Sequence, residues 1–170
     1  MYTRKLVCAF VLMVASVLAA THAVAQAITK QDVLNLLESD SKAQHSKDPD
    51  AVCENIGKDA LLKVVMDSST GLQMVSMNRE HYRTNLKRVF PRLRENKIQR
   101  TNLHITIAPD GNSAVITYTA IQTVTTYLAA EGDYGSTGTM QDYERATIGR
   151  ENGKVVVTGI DASFQRPFTN

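Results

Sequence analysis

From Leu103 to Phe164, apolar and polar residues alternate in four runs separated by turn signals, the period-2 pattern of half-buried strands. The longest run, Ser113 to Tyr127, puts Ala114, Ile116, Tyr118, Ala120 and Val124 on one face and Val115, Thr117, Thr119, Thr123 and Thr125 on the other. One is a core face and the other a threonine-rich wet face. Before it, Leu103, Ile105 and Ile107 alternate with His104 and Thr106, and Pro109-Asp110-Gly111-Asn112 turns the chain. After it, Ala129 to Thr139 reads as a loop with three glycines. Gln141 to Arg150 and Lys154 to Phe164 then form a hairpin through Asn152-Gly153, a pair suited to a tight turn with two positive φ angles.

Upstream the period changes to that of helices. Thr29 and Asp32 make a capping box, Ile28 and Val33 a hydrophobic staple, and Val33, Leu34, Leu36 and Leu37 an apolar stripe. Asp48-Pro49 caps and opens a short second helix predicted to stop at Gly57. Ala60 to Met66 and Leu72 to Met77 are of strand length, with a turn from Asp67 to Gly71. Asn78 caps a third helix striped by Tyr82, Leu86, Val89 or Phe90, and Leu93; Pro91 predicts a kink or an end near Phe90. The tail, Gln165 to Asn170, is expected to be loosely held.

The first residues carry a different signal. Arg4 and Lys5 precede an apolar run from Leu6 to Ala20, too short for a span of roughly 20 residues, and Ala23-Val24-Ala25 supplies a small-x-small cleavage pattern. Residues 1–25 are thus expected to be a cleavable signal peptide removed after Ala25, and residues 26–170 a single periplasmic or secreted domain with no stable membrane attachment.

Cleavage changes the charge balance. Arg4 and Lys5 leave with the leader, so 17 basic residues face 17 acidic ones, and the basic pI of the whole chain does not argue for a nucleic-acid partner. Arg79 to Arg100 nonetheless holds eight basic and two acidic residues, either a solvated helix face or a docking surface for an anionic partner. Cys53 is the only cysteine past the leader, so no internal disulfide is possible, and it reads as a small buried apolar side chain.

This order of elements, with Asp48-Pro49-Asp50-Ala51, Asn78-Arg79-Glu80-His81-Tyr82, Tyr143-Glu144-Arg145 and Asn152-Gly153-Lys154-Val155 at their places in it, resembles the nuclear transport factor 2-like superfamily over roughly Ile28 to Ser163. That superfamily includes ketosteroid isomerases, scytalone dehydratases and polyketide cyclases. The resemblance implies an α+β fold: a curled mixed or antiparallel sheet wrapped around three N-terminal helices, with an apolar pocket in the cone. It also implies a place for a general base just after the first strand, loosely that of Asp67. The superfamily's tyrosine on the first helix is missing here; Asp142 and Tyr118 could stand in for the oxyanion partners only if both point inward.

Other chemistry is poorly represented. His45, His81 and His104 have no metal-ligand spacing, and no phosphate-cradling glycine loop or nucleophile elbow is present, so neither metal nor cofactor is expected. The expected function is non-catalytic binding of a small apolar or amphipathic ligand, or of a partner protein, with Leu34, Leu37, Tyr82, Leu86, Ile105, Ile116 and Tyr118 as candidate lining residues. The alternatives are an isomerase- or cyclase-like enzyme with Asp67 as general base, and an interaction protein dimerising through the outer face of Thr117, Thr119, Thr123 and Thr125.

Overall fold

The fold is described from a computed structural model covering residues 26–68, 71–127 and 136–165. The expected leader therefore lies outside the described residues, as do the tail beyond Gln165 and residues 128–135 of the expected loop. Helix α1, Lys30–Ser46, starts as its sequence predicts: the Thr29 hydroxyl accepts from the Asp32 amide at 3.1 Å, and the Asp32 carboxylate accepts from the Thr29 amide at 2.9 Å. It ends at Lys47, whose left-handed backbone (φ 55°) turns the chain into the Asp48 cap of α2, Pro49–Glu54. Strand β1, Ile56–Ser68, begins at Ile56, so α2 stops short of the predicted Gly57. The Asn55 carbonyl accepts from the Val157 amide at 2.9 Å, and the pairing of Ile56 with Val157 draws the chain straight into the sheet.

Strand β2, Gly71–Asn78, folds back on β1, and the Asn78 side chain caps α3, Arg79–Val89. Pro91 sits in the 3-10 turn Phe90–Arg92 that ends this helix, as expected from its missing N–H. The meander follows: β3, Leu93–Ile107; β4, Ala114–Thr126; β5, Thr137–Glu151; and β6, Lys154–Gln165. Two readings are corrected here. Strand β3 begins at Leu93 and bulges between Thr101 and His104, so the basic stretch Arg79–Arg100 is divided between a helix and a strand. The end of the expected loop, from Thr137, is already strand β5.

The six strands lie in the order β2-β1-β6-β5-β4-β3, with β1 and β6 parallel and every other pair antiparallel. The sheet curls around the helices without closing. Its inner face packs Ala114, Ile116, Tyr118, Ala120, Ala146 and Ile148 against Ile28, Val33, Leu36 and Leu37 of α1 and its lead-in. A second cluster joins Ala43, Val52 and Cys53 to Leu86, Phe90 and Leu93, which places Cys53 fully inside. On the outer face, Thr123 pairs with Thr139 and Thr125 with Thr137 through their hydroxyls, at 3.4 and 3.0 Å. Arg150 fixes the lead-in to α1: its guanidinium donates to the carbonyls of Gln26 and Ala27 at 2.6 and 3.3 Å. Among the described residues no helix is long and apolar enough to cross a membrane.

Candidate functional site

Alternation along β5 puts Asp142, Glu144, Ala146 and Ile148 on the inner face. Register then decides their neighbours. Glu144 lies opposite Tyr118 on β4, and Asp142 lies opposite Ala120, which pairs on its other side with Arg100 of β3. Two acids, a tyrosine and an arginine thus meet on one stretch of the sheet's inner face. Helix α1 passes over it and contributes Asp40, which pairs with Arg100, and Ser41, whose hydroxyl accepts from the same guanidinium at 2.5 Å. The Arg100 guanidinium carbon stands 5.3 Å from the centre of the Tyr118 ring.

Between this polar end, helix α3 and the β1–β2 hairpin lies a cavity of about 470 Å³. The volume is in the range of small-molecule sites, and the rest of the wall is largely apolar. Leu62, Val64, Val75 and Met77 form its hairpin side, and Leu86 and Val89 part of its helical side. Val75 and Val89 are 37% and 41% exposed, which marks them as rim residues. A second depression of about 570 Å³, lined by His45, Lys47, Arg94, Glu95, Thr125 and Thr137, is a polar surface hollow. The Lys47 ammonium there already donates to the Leu93 and Arg94 carbonyls, at 2.9 and 3.1 Å. The cone cavity is the one that combines apolar walls with perturbed acids, and it is the candidate site.

Burial sets the acid–base character of the polar end. It pushes the Asp142 carboxyl up to about 6, and the hydrogen bond from its own backbone amide and the nearby Arg100 charge only partly offset this. Glu144 is pushed up to about 7, again chiefly by burial, with the Asp142 charge adding to it against the hydrogen bond from Tyr118. That bond is 2.5 Å from the phenol hydroxyl to Glu144 Oε2. Burial raises Asp40 as well, with Arg100 opposing, and it raises the phenols of Tyr82 and Tyr118, which stay protonated. Asp142 is 8% exposed and its Oδ1 has no hydrogen-bond partner.

A chain of amides braces the same wall. Gln122 Nε2 donates to Asn96 Oδ1 at 2.8 Å, Asn96 Nδ2 donates to the carbonyl and side-chain oxygens of Gln44, and Gln44 Nε2 reaches the Tyr82 hydroxyl at 3.4 Å. Asn96 is completely buried. Among the described residues no group of histidines, cysteines and acids could hold a metal ion.

Of the seven candidate lining residues, Leu37, Tyr82, Leu86, Ile116 and Tyr118 border this cavity. Leu34 is 36% exposed on α1 and Ile105 packs at the far end of β3; neither borders it. Asp67 occupies the next-to-last position of β1, paired with Leu72. Tyr118 and Asp142 both point inward and border the cavity. His45, His81 and His104 are all exposed. Sequence reasoning missed Asp40, Arg100 and Glu144. For Glu144 a signal existed: the alternation that turns Ala146 and Ile148 inward carries Glu144 and Asp142 with them.

No protein-family model matches the sequence, and no curated protein matches it by sequence. Solved structures do match by shape. A protein of Novosphingobium aromaticivorans provisionally named as an aromatic ring hydroxylase superposes over 81% of this chain and 89% of its own, at 19% identity and a TM-score of 0.64. A provisionally named scytalone dehydratase from the same species covers 79% and 83%, at 11% identity and 0.63. The hexachlorocyclohexane dehydrochlorinase LinA-type3 of Novosphingobium barchaimii covers 81% and 87%, at 12% identity and 0.59. The chain has the nuclear transport factor 2-like fold, in which some neighbours are named as enzymes.

Proposed function

We propose that this protein is an exported domain that binds a small, largely apolar molecule inside its cone, with the molecule's polar group against Asp142, Glu144 and Arg100. The observation that carries this reading is the cavity itself: about 470 Å³ of space, apolar on most sides, closed at one end by buried polar groups. Export rests on the leader pattern of Arg4, Lys5 and Ala23-Val24-Ala25. Native mass spectrometry of the protein recovered without denaturation tests the binding. The expected spectrum carries a reproducible extra mass that leaves on organic extraction, whereas the bare chain mass in every preparation would refute it.

A second reading, proton-transfer catalysis of the isomerase or lyase type, is favoured by one observation: Asp142 and Glu144 bind and release protons near neutrality. In it Asp142 takes a proton from the ligand, and Glu144, oriented by Tyr118, returns one. Asp142→Asn would then abolish turnover of the extracted ligand and leave its affinity intact. If Asp67→Asn does so instead, the base is Asp67.

A further inference from the structure

The lead-in to α1 is gripped through its backbone. Arg150 Nε donates to the Gln26 carbonyl at 2.6 Å, and a terminal nitrogen of the same guanidinium donates to the Ala27 carbonyl at 3.3 Å. The Ile28 amide donates to the Gly111 carbonyl at 2.7 Å, and the Ile28 side chain is buried in the core. Ala27 packs so closely on the turn at Gly111 that a Cβ added to that glycine would lie 2.7 Å from the Ala27 Cβ. The chain is therefore held from the Gln26 carbonyl onward. Gln26 itself is exposed, and neither its backbone nitrogen nor its side-chain amide takes part in these contacts. The pattern Ala23-Val24-Ala25 predicts cleavage after Ala25, so the first gripped carbonyl belongs to the residue that cleavage would make the amino terminus.

An amino-terminal glutamine carries a nucleophile and an electrophile in one residue. Its α-amine attacks the Cδ of its own side-chain amide, a C–N bond forms, the bond to the side-chain nitrogen breaks, and ammonia leaves with the proton that the amine gives up. The product is a five-membered lactam, pyroglutamate. The step needs no oxidant and no partner residue, only an amine and a side chain free to meet. An exposed residue anchored by its carbonyl retains that freedom.

The charges around this end favour the neutral product. Arg150 and Asp32 form one ion pair at 3.5 Å, and the Asp32 carboxylate is held as well by the Thr29 amide and hydroxyl. Asp110, in the turn beside Ala27, accepts from the Asn112 amide and side chain, and Lys30 opens the helix. A free α-ammonium would sit one Cα away from the carbonyl that Arg150 holds. It would add a second positive charge beside the guanidinium, near the helix end where cations are disfavoured. The lactam carries no charge and keeps the carbonyl that Arg150 binds.

We propose that Gln26 is a modification site: after removal of the leader it closes to pyroglutamate, and Arg150 holds the capped, uncharged end against the start of α1. This rests on the export reading above and adds the chemical state of the mature amino terminus.

The test uses the full chain, leader included, expressed in a Gram-negative host and recovered from the periplasm. Free amines are dimethylated before digestion, so that no lactam forms during handling, and the amino-terminal peptide is sequenced by tandem mass spectrometry. The expected peptide starts at residue 26, is undimethylated at its amino end, and is lighter by one ammonia than its sequence requires. That change is covalent and is read independently of any bound ligand. Gln26→Ala, which has no side-chain amide, should start at residue 26 with a dimethylated amine. It should also melt about 1–3 °C below the wild type at low salt, with the gap closing at high salt, because it keeps the ammonium that the lactam removes. A peptide that starts at residue 26 with an intact, dimethylated glutamine overturns the modification and leaves export standing. Equal melting of the two proteins at low salt overturns the role given to the charge. A start at another residue overturns the modification too, and a chain still carrying its leader overturns the export reading with it.

Discussion

The two ends of the cone are built from different materials. Under α1, strands β3 to β5 send Asn96, Arg100, Gln122, Asp142 and Glu144 inward, and each is tied by register or hydrogen bonds to a neighbour across the sheet. At the other end, the β1–β2 hairpin offers the cavity Leu62, Val64, Val75 and Met77, paired Leu62 with Met77 and Val64 with Val75. The polar end holds its groups in fixed directions, because a buried hydrogen bond tolerates little displacement. The apolar end fixes only shape, and dispersion contacts adapt to what fills them. Orientation is thus assigned to one wall and accommodation to the other.

That division can be broken by mutation, and the largest effect is expected at the centre of the polar end. Asn96→Ala strands Gln122 Nε2 and Gln44 Oε1 at a fully buried position, while the Gln44 carbonyl keeps the Lys47 amide, so urea denaturation should show a loss of roughly 3 kcal/mol. A near-zero loss would mean that the amide chain braces nothing. Leu62→Ala removes a buried side chain beside space that already exists, so the loss should be nearer about 2 kcal/mol, at the low end for such truncations. If Leu62→Ala proves the more damaging of the two, the apolar end carries the rigidity and the comparison is reversed.

The next effect concerns pH. In the folded protein Asp142 and Glu144 keep their protons up to about 6 and about 7, whereas in the unfolded chain they release them near about 4. Their contribution to stability is therefore complete below about pH 4 and is lost as pH rises through those two values, where burial opposes ionisation. The melting temperature of Asp142→Asn or Glu144→Gln should fall less between pH 4.5 and 8 than that of the wild type, by the equivalent of roughly 1–2 kcal/mol. An identical pH slope in variant and parent would show that the polar end is hydrated in solution. Smallest of all, Val75→Ala at the exposed rim should change stability by less than about 0.5 kcal/mol while speeding ligand release in stopped-flow measurements.

The fold was largely legible in the sequence because its signals are local. Thr29 with Asp32, Asp48 with Pro49, and Asn78 each make the cap that their spacing predicts, and Asn152-Gly153 forms its turn with both residues at positive φ. The alternation of β4 gave the correct inner face at Ala114, Ile116, Tyr118 and Ala120. The start of β3 was illegible for the reason that makes it interesting. Its inward positions Asn96 and Arg100 are polar, so the period-2 pattern vanishes where the site begins. Charge counting assigned Arg100 to a basic surface, whereas Asp40, sixty residues away in the chain, draws it inside. Pairings at that separation leave no mark on a sequence window. The cavity is equally hidden, since the residues around an empty volume are the same kinds that fill a core.

Strand β6 comes last among the described elements, yet it lies between β1 and β5 in the middle of the sheet. Until it is in place, β1 and β2 are a lone hairpin, joined to the β3–β5 meander by no strand pairing, and neither half can close over a ligand. The two halves of the cavity wall are therefore joined through contacts spanning about a hundred residues, from Ile56 to Val157, which favours their late assembly. In a polypeptide emerging from a ribosome the two parts of the sheet would stay unpaired until that strand followed.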